Sequence, residues 1–229
     1  MELKLSEKKK VTTDIVTFVC KSAKPVSWQP GQYMHYVLDH KNPDERGKER
    51  WFTISAAPYE KNVSITTKIK KEGGSSFKSA LNQLKIGDSI EADGPKGKFI
   101  IEDPEKFHVF IAGGIGITPF RSMYLQTQYD KQKLIGVLLY ANKNKDIAFK
   151  KELEQTAHNI DLDIKYFVGS IKIDADAILE SIPTFVKPLF YVSGPEPMVE
   201  YYEKILLGLG FADNQIKRDF FPGYGWPIA

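Results

Sequence analysis

Val109-Phe110-Ile111-Ala112-Gly113-Gly114-Ile115-Gly116-Ile117-Thr118-Pro119 is an apolar run that breaks into glycine and restarts at a threonine–proline pair. Val109–Ala112 reads as a buried strand and Gly113-Gly114-Ile115-Gly116 as the turn leaving it. Thr118 is a suitable N-cap and Pro119 suits a first helical turn, so a helix is predicted from Pro119. Phe120, Met123, Tyr124 and Thr127 then form its inward stripe. Glycines let a ligand approach the backbone, and the free amides and dipole of the helix start face the gap. An anion such as a pyrophosphate is the natural occupant. The spacing is not G-x-G-x-x-G, because Pro119 stands where the last glycine would be. Taken alone, a strand–helix turn with no ligand reads the same way.

The pattern continues toward the C-terminus. Leu134–Tyr140, Ile164–Val168 and Leu189–Val192 are apolar strands, followed by helices from Ile147, over Ala175–Ser181 and over Met198–Leu209. Val199, Tyr202, Leu206 and Leu209 give the last helix its stripe, and Lys217–Phe221 reads as a final strand. Alternating strands and helices predict a parallel sheet covered on both faces.

Glu102–Lys106 reads as a linker, and before it the pattern is β. Ile15–Lys21, Gln32–Leu38, Arg50–Ser55 and Val63–Lys70 are rich in β-branched and aromatic residues, and Pro30-Gly31 marks a type II turn. Short strands with one brief helix, Phe77–Leu84, predict a small antiparallel barrel. On a strand, Arg50 and Phe52 share one face while Trp51 and Thr53 share the other. Arginine can hold a phosphate, an aromatic can stack on a planar ring, and a hydroxyl can bond a ring nitrogen. Gly73-Gly74-Ser75-Ser76, ahead of the short helix, forms a second candidate anion nest, or simply a helix-entry turn.

In this order, the segments resemble the ferredoxin–NADP reductase superfamily of flavoproteins over nearly the whole chain. Its Arg-x-Tyr-Ser/Thr motif resembles Arg50-Trp51-Phe52-Thr53, with Phe52 replacing the usual tyrosine, and Ile54–Pro58 continues the match. Gly73–Ser76 resembles the loop that holds the flavin pyrophosphate, and Gly94–Phe99 the turn closing the barrel. Gly113–Pro119 resembles the nicotinamide-nucleotide loop, and Tyr140–Ile147 the second strand–helix junction. Ser193-Gly194-Pro195-Glu196-Pro197-Met198 resembles a Cys-Gly-x-x-x-Met segment, with Ser193 in place of cysteine.

The resemblance implies an N-terminal antiparallel Greek-key β-barrel binding FAD, residues 1–102, and a Rossmann-like parallel α/β domain, residues 103–229, binding NADPH or NADH. Arg50 would neutralise flavin phosphate, Phe52 stack near the isoalloxazine and Thr53 bond near N5. Trp51, Thr66, Lys68, Gly73, Gly74, Ser75 and Ser76 are expected around the flavin. Gly113, Gly114, Gly116, Thr118, Pro119, Lys143, Gly194, Pro195 and Met198 are expected around the nicotinamide nucleotide. Thr53, Ser193 and Tyr224 are expected at the reacting centre, with Tyr224 or Trp226 covering the flavin. The implied function is transfer of electrons from NAD(P)H through FAD to a separate acceptor of ferredoxin or flavodoxin type. The alternatives are an oxygenase reductase component, a ferric or flavin reductase, or a non-catalytic electron-transfer subunit.

Composition bounds these readings. The 229 residues suffice for two modest domains, and 42% hydrophobic with 12% aromatic content supports real cores. With 32 Lys plus Arg against 29 Asp plus Glu, the net charge of +3 is too small to imply nucleic acid. Lys8-Lys9-Lys10 and the charged loop Asp39–Glu49 are compatible with an acidic partner protein or a small-molecule acceptor. No apolar run approaches about 18 residues and the first residues lack a signal-peptide stretch, so no transmembrane span and a cytoplasmic location are expected. Cys20 is the only cysteine, which excludes an intrachain disulfide and a thiolate-held cluster from this chain alone. The four histidines show no ligand spacing, and no metal is expected. Lys143 and Lys145 after the second strand favour NADPH slightly over NADH.

Overall fold

A computed structural model describes residues 1–70 and 73–221. The first half contains β1 (Glu2–Lys10), β2 (Ile15–Ser22), β3 (Tyr33–Val37), β4 (Glu49–Thr53), β5 (Val63–Lys68), α1 (Ser76–Gln83) and β6 (Ser89–Lys96). The six strands form one antiparallel sheet in the order β4-β3-β6-β1-β2-β5. It curls until its edges meet, through an Ile54–Ile65 bridge and a Ser55 N–H to Ser64 carbonyl bond of 3.0 Å. Closure removes the exposed edges that a small sheet would otherwise present.

Leu3, Leu5, Phe18, Met34, Tyr36, Ile65, Phe77 and Leu81 fill the barrel. Cys20 joins them at 1% exposure, and burial pushes its thiol up to about 12, so it packs as a small hydrophobe. Gln29–Gln32 closes as expected of Pro30-Gly31, with a Gln32 N–H to Gln29 carbonyl bond and Gly31 at φ +95°. Two strands had no separate sequence assignment. In β1 the signal is present, because buried Leu3 and Leu5 alternate with exposed Glu2 and Lys4. In β6 the expected turn at Gly94 is overruled, and the strand runs through Pro95 to Lys96.

The second half contains β7 (His108–Gly113), α2 (Thr118–Tyr129), β8 (Gly136–Asn142), α3 (Lys150–Ile160), β9 (Leu162–Val168), α4 (Ala175–Leu179), β10 (Leu189–Pro195), α5 (Glu196–Gly208) and β11 (Ile216–Phe221). The strands are parallel, in the order β11-β10-β7-β8-β9. Alternate residues of β7 serve opposite layers: Phe110 packs with Phe120 and Tyr124, while Val109 and Ile111 pack with Val199 and Tyr202. The chain runs β7, β8, β9 outward and then returns to place β10 on the other side of β7. The crevice at the carboxyl ends of β7 and β10 is therefore a topological switch point, where ligands bind in open α/β sheets.

Side chains of α2 tie this layer to the barrel. Arg121 donates to the Ser55 carbonyl at 2.7 Å and to Glu60 at 3.0 Å, and its other donors reach Glu152 at 2.7 and 2.8 Å. Ser122 Oγ donates to the Ala56 carbonyl at 2.7 Å, and Tyr191 Oη to the Ile100 carbonyl at 3.1 Å. Among the described residues, no helix is long and apolar enough to cross a membrane.

Candidate functional site between the barrel and the parallel sheet

A cavity of about 870 Å³ opens between the two halves. Arg46, Lys68, Gly73, Gly74, Ser75 and Lys78 line it from the barrel side; Gly113, Gly114, Ile115, Lys143, Lys172 and Pro195 line it from the sheet side. Both glycine loops singled out in the sequence therefore face one space. Two carboxylates are among the described lining residues, and both are engaged. Asp14 pairs with Lys68 at 2.5 Å, and Asp146 accepts from the Thr13 amide and hydroxyl at 2.8 Å. What remains along the walls is cationic, which suits phosphates.

The turn after β7 is a 3-10 segment, Gly114–Ile117, that runs directly into α2. No extended position exists for an N-cap. Thr118 is already helical, and its hydroxyl donates back to the Ile115 carbonyl at 3.1 Å instead of capping. Thr118 and Pro119 are buried away from the cavity. The three glycines divide their work. A Cβ on Gly116 would stand 2.1 Å from the Ser193 carbonyl, and one on Gly113 would stand 2.1 Å from Met198 Sδ. At these two positions protein fills the space on the Cβ side, and Gly113 still lines the cavity. Gly114 alone is open, at φ +52° with nothing within 4 Å, and Tyr140 Oη donates to its carbonyl at 2.9 Å. Met198 is fully buried, with its Sδ beside Gly113 and Gly194.

On the barrel side, Arg50 is 2% exposed. Its Nη1 donates to the Arg46, Gly47 and Glu49 carbonyls, and its Nη2 to Asp44 Oδ1 at 2.5 Å and Ser75 Oγ at 3.0 Å. Its buried Nε finds no acceptor among the described residues. Phe77 links the motif together, lying 5.6 Å from the Arg50 guanidinium and 5.8 Å from Phe52. Asp44 also accepts from the Ser76 amide, the first of α1, at 2.9 Å. A protein carboxylate held by an arginine and a helix-start amide shows that these donors suit an anion.

Other expected residues are placed elsewhere. Trp51 points to the outside of the barrel, 52% exposed, against His35, Tyr33 and Lys96. The alternation of β4 puts its side chain on the face opposite Arg50. Thr66 is buried with its hydroxyl committed to Ser55 at 2.7 Å and Thr17 at 2.8 Å. Thr53 is buried at the end of β4. The Ser76 hydroxyl accepts from the Asp44 amide at 2.8 Å and meets His40 Nε2 at 3.0 Å. Tyr224 and Trp226 lie outside the described residues.

Ser193 is buried at the end of β10 and donates to Asp219 Oδ2 of β11 at 3.1 Å. Desolvation raises the Asp219 carboxyl to about 7, against the opposing hydrogen bond from Ser193. Asp44 and Asp219 were not singled out from the sequence. Asp219 meets Ser193 by register across parallel strands, which no local pattern records. Asp44 had a signal in hindsight: Asp44-x-x-Gly47-x-x-Arg50 is a turn, with Gly47 at φ +68°.

Comparisons with known proteins agree with this architecture. The oxidoreductase FAD-binding domain family matches residues 2–101, and the oxidoreductase NAD-binding domain family matches residues 110–204. A flavohemoprotein of Pseudomonas putida is 26% identical over 235 residues, covering 96% of this chain and 58% of that protein. The glycine betaine monooxygenase reductase subunit of Pseudomonas aeruginosa is 28% identical over 228 residues, covering 92% of this chain and 61% of that protein. The chain thus spans about three-fifths of the length of these relatives. The structure of the flavohem-like FAD/NAD-binding domain of nitric oxide dioxygenase from Vibrio cholerae superposes with a TM-score of 0.81 at 23% identity, covering 96% of this chain and 98% of that one. With an FAD-binding barrel followed by an NAD-binding parallel sheet, the chain belongs to the ferredoxin–NADP reductase superfamily.

Proposed function

We propose that this chain is an NAD(P)H-dependent FAD oxidoreductase that hands electrons to a separate acceptor. The observation carrying the proposal is the single cavity whose walls include both Gly73–Ser75 and Gly113–Ile115. Two nucleotides held by those loops would extend into the same space, as hydride transfer requires. FAD, when bound, supplies the chemistry, accepting a hydride and releasing electrons one at a time.

The protein's part is to bind and orient. The orphaned Arg50 Nε and the Gly73–Ser75 loop are assigned to flavin phosphate, and Phe52 and Thr53 to the ring. The open amide side of Gly114, the start of α2, Lys143 and Pro195 are assigned to the nicotinamide nucleotide. Ser193 and its partner Asp219 hold a polar group where the carboxyl end of β10 meets the cleft. Lys143 and Lys172, on a wall whose one lining carboxylate among the described residues, Asp146, is engaged by Thr13, support NADPH as donor. Residues 1–102 form the flavin domain and 103–229 the nicotinamide domain in this proposal, and the site of action is cytoplasmic.

For the acceptor, an electron-carrier protein of ferredoxin or flavodoxin type remains the first reading. The reductase component of an oxygenase is the second, favoured by the similarity to a monooxygenase reductase subunit. Anaerobic stopped-flow mixing of the flavin-loaded protein with NADPH or NADH tests the core of the proposal. Rapid flavin bleaching by one donor is expected. Bound flavin that neither donor bleaches would instead indicate a non-catalytic electron-transfer subunit.

A further inference from the structure

The Asp44 carboxylate occupies the point where the donors of the flavin loop converge. Its Oδ1 accepts from Arg50 Nη2 at 2.5 Å and the Arg46 amide at 3.0 Å, and its Oδ2 from the Ser76 amide at 2.9 Å. The Arg50 charge is therefore already balanced by one internal negative charge, with the guanidinium buried. Burial works to raise the Asp44 carboxyl, but the bonds from Arg50, Ser76 and Arg46 outweigh it and hold it well below the usual carboxylate range. The charged and titratable groups facing it are Arg50 on β4 and, on its own loop, Arg46 and His40, the last sharing the Ser76 hydroxyl with the Asp44 amide.

A flavin phosphate brought beside Asp44 meets this fixed charge. In FAD the phosphate attached to the ribityl chain is a diester with one negative charge. In FMN it is a monoester whose second ionisation lies near pH 6, so it carries about two charges at neutral pH. Repulsion from Asp44 then falls about twice as heavily on FMN. FAD also has a second phosphate and an adenosine to place along the cationic cavity. We propose that Asp44 is the residue that makes this site select FAD over FMN, by rejecting a dianionic phosphate beside Arg50. The proposal rests on the assignment of Arg50 and the Gly73–Ser75 loop to flavin phosphate.

The test uses the full chain stripped of flavin and titrated with FAD, FMN and riboflavin, following flavin fluorescence at pH 5.5 and pH 8. In wild type Asp44 offsets the attraction of Arg50 for the second phosphate charge, so FMN affinity is expected to change little between pH 5.5 and pH 8. Asp44→Asn is expected to tighten FMN binding roughly 10-fold at pH 8 and by less at pH 5.5, with riboflavin affinity nearly unchanged. Asp44→Ser keeps an acceptor for the start of α1 without the charge and serves the same comparison if the asparagine variant misfolds. Weaker FMN binding in both variants would overturn the proposal, because Asp44 would then be holding Arg50 in its productive position. Equal shifts for FMN and riboflavin would overturn it as well, marking a purely structural role. Arg50→Ala separates the underlying assignment: if it leaves the FAD-to-riboflavin affinity ratio unchanged, no phosphate contacts Arg50 and the assignment itself fails.

Discussion

Ser193 Oγ donates to Asp219 Oδ2 at 3.1 Å, joining the ends of two parallel strands beside the loop that Gly116 forms. The pair lies at the carboxyl edge of the sheet, where the assigned nicotinamide site and the last described strand meet. It places an ionisable group, with its titration near neutrality, one hydrogen bond from the residue that replaces the superfamily's cysteine.

The folded Asp219 carboxyl lies at about 7, raised by desolvation, against about 3.9 in an unfolded chain. Between those values the folded state holds a proton that the unfolded state releases. Stability from this group therefore falls as pH rises from about 4 to 7 and stays lower above 7. Asp219→Asn is expected to become more stable relative to wild type as pH is raised, with the difference levelling off above neutrality. Urea titrations at pH 4.5 and pH 8 measure it. A wild type that gains stability on the same change, relative to the variant, would refute the assignment of the shift.

His108 gives the opposite sign. Its ring is fully buried, stacked on Phe110 at 5.5 Å, and neither ring nitrogen has a partner among the described residues. Desolvation lowers its pKa from 6.5, so below that pH the unfolded state binds the proton more readily and stability falls. His108→Phe, which keeps the stack, should blunt the loss of stability between pH 7 and pH 5. Identical acid sensitivity in the variant would place the weak point elsewhere.

Arg121 is the main polar tie between barrel and sheet, 12% exposed and bonded to Glu60, Glu152 and the Ser55 carbonyl. Arg121→Ala leaves two carboxylates and a carbonyl without their donor. Full burial would make that cost about 3–5 kcal/mol, but Glu152 is more than a third exposed, so about 2 kcal/mol is expected. Denaturant unfolding in a Trp226→Phe background, followed separately by Trp28 and Trp51 emission in the barrel and by overall helix signal, should show the two halves separating into distinct transitions. A single unchanged transition would mean that the packing of Phe99 on Phe120 and Tyr191 carries the interface alone.

The legible part of this molecule was whatever depends on local periodicity. The parallel strands were readable because each is a continuous apolar run, and the Pro30-Gly31 turn because proline and glycine set its dihedrals. Gly113–Pro119 was recognisable as a loop, but the tasks of its glycines were not. What fills the space at Gly113 and Gly116 is Met198 and the Ser193 carbonyl, some 80 residues away in sequence. The same limit hid the Ser193–Asp219 pair. The outward position of Trp51 was legible, because strand alternation alone turns it to the face opposite Arg50.

The division of labour among the loop glycines makes the last prediction. Gly116→Ala asks the Ser193 carbonyl, 2.1 Å from the new Cβ, to move, and that carbonyl belongs to β10, paired on both sides by β7 and β11. Backbone cannot yield as a flexible side chain does, so the loop must lift away from β10, and overpacking of this kind costs about 1–3 kcal/mol. Gly114→Ala meets no atom within 4 Å and faces only the strain of a positive φ, about 1 kcal/mol. Gly116→Ala should therefore lose both stability and nicotinamide-driven flavin reduction while retaining FAD. Gly114→Ala should remain folded and show its defect as weaker nicotinamide binding, since its methyl group projects where the nucleotide is assigned. Melting temperature, FAD content and reduction rate, measured on both variants, separate the cases. Equal stability losses with unchanged reduction would show that neither glycine faces the nucleotide.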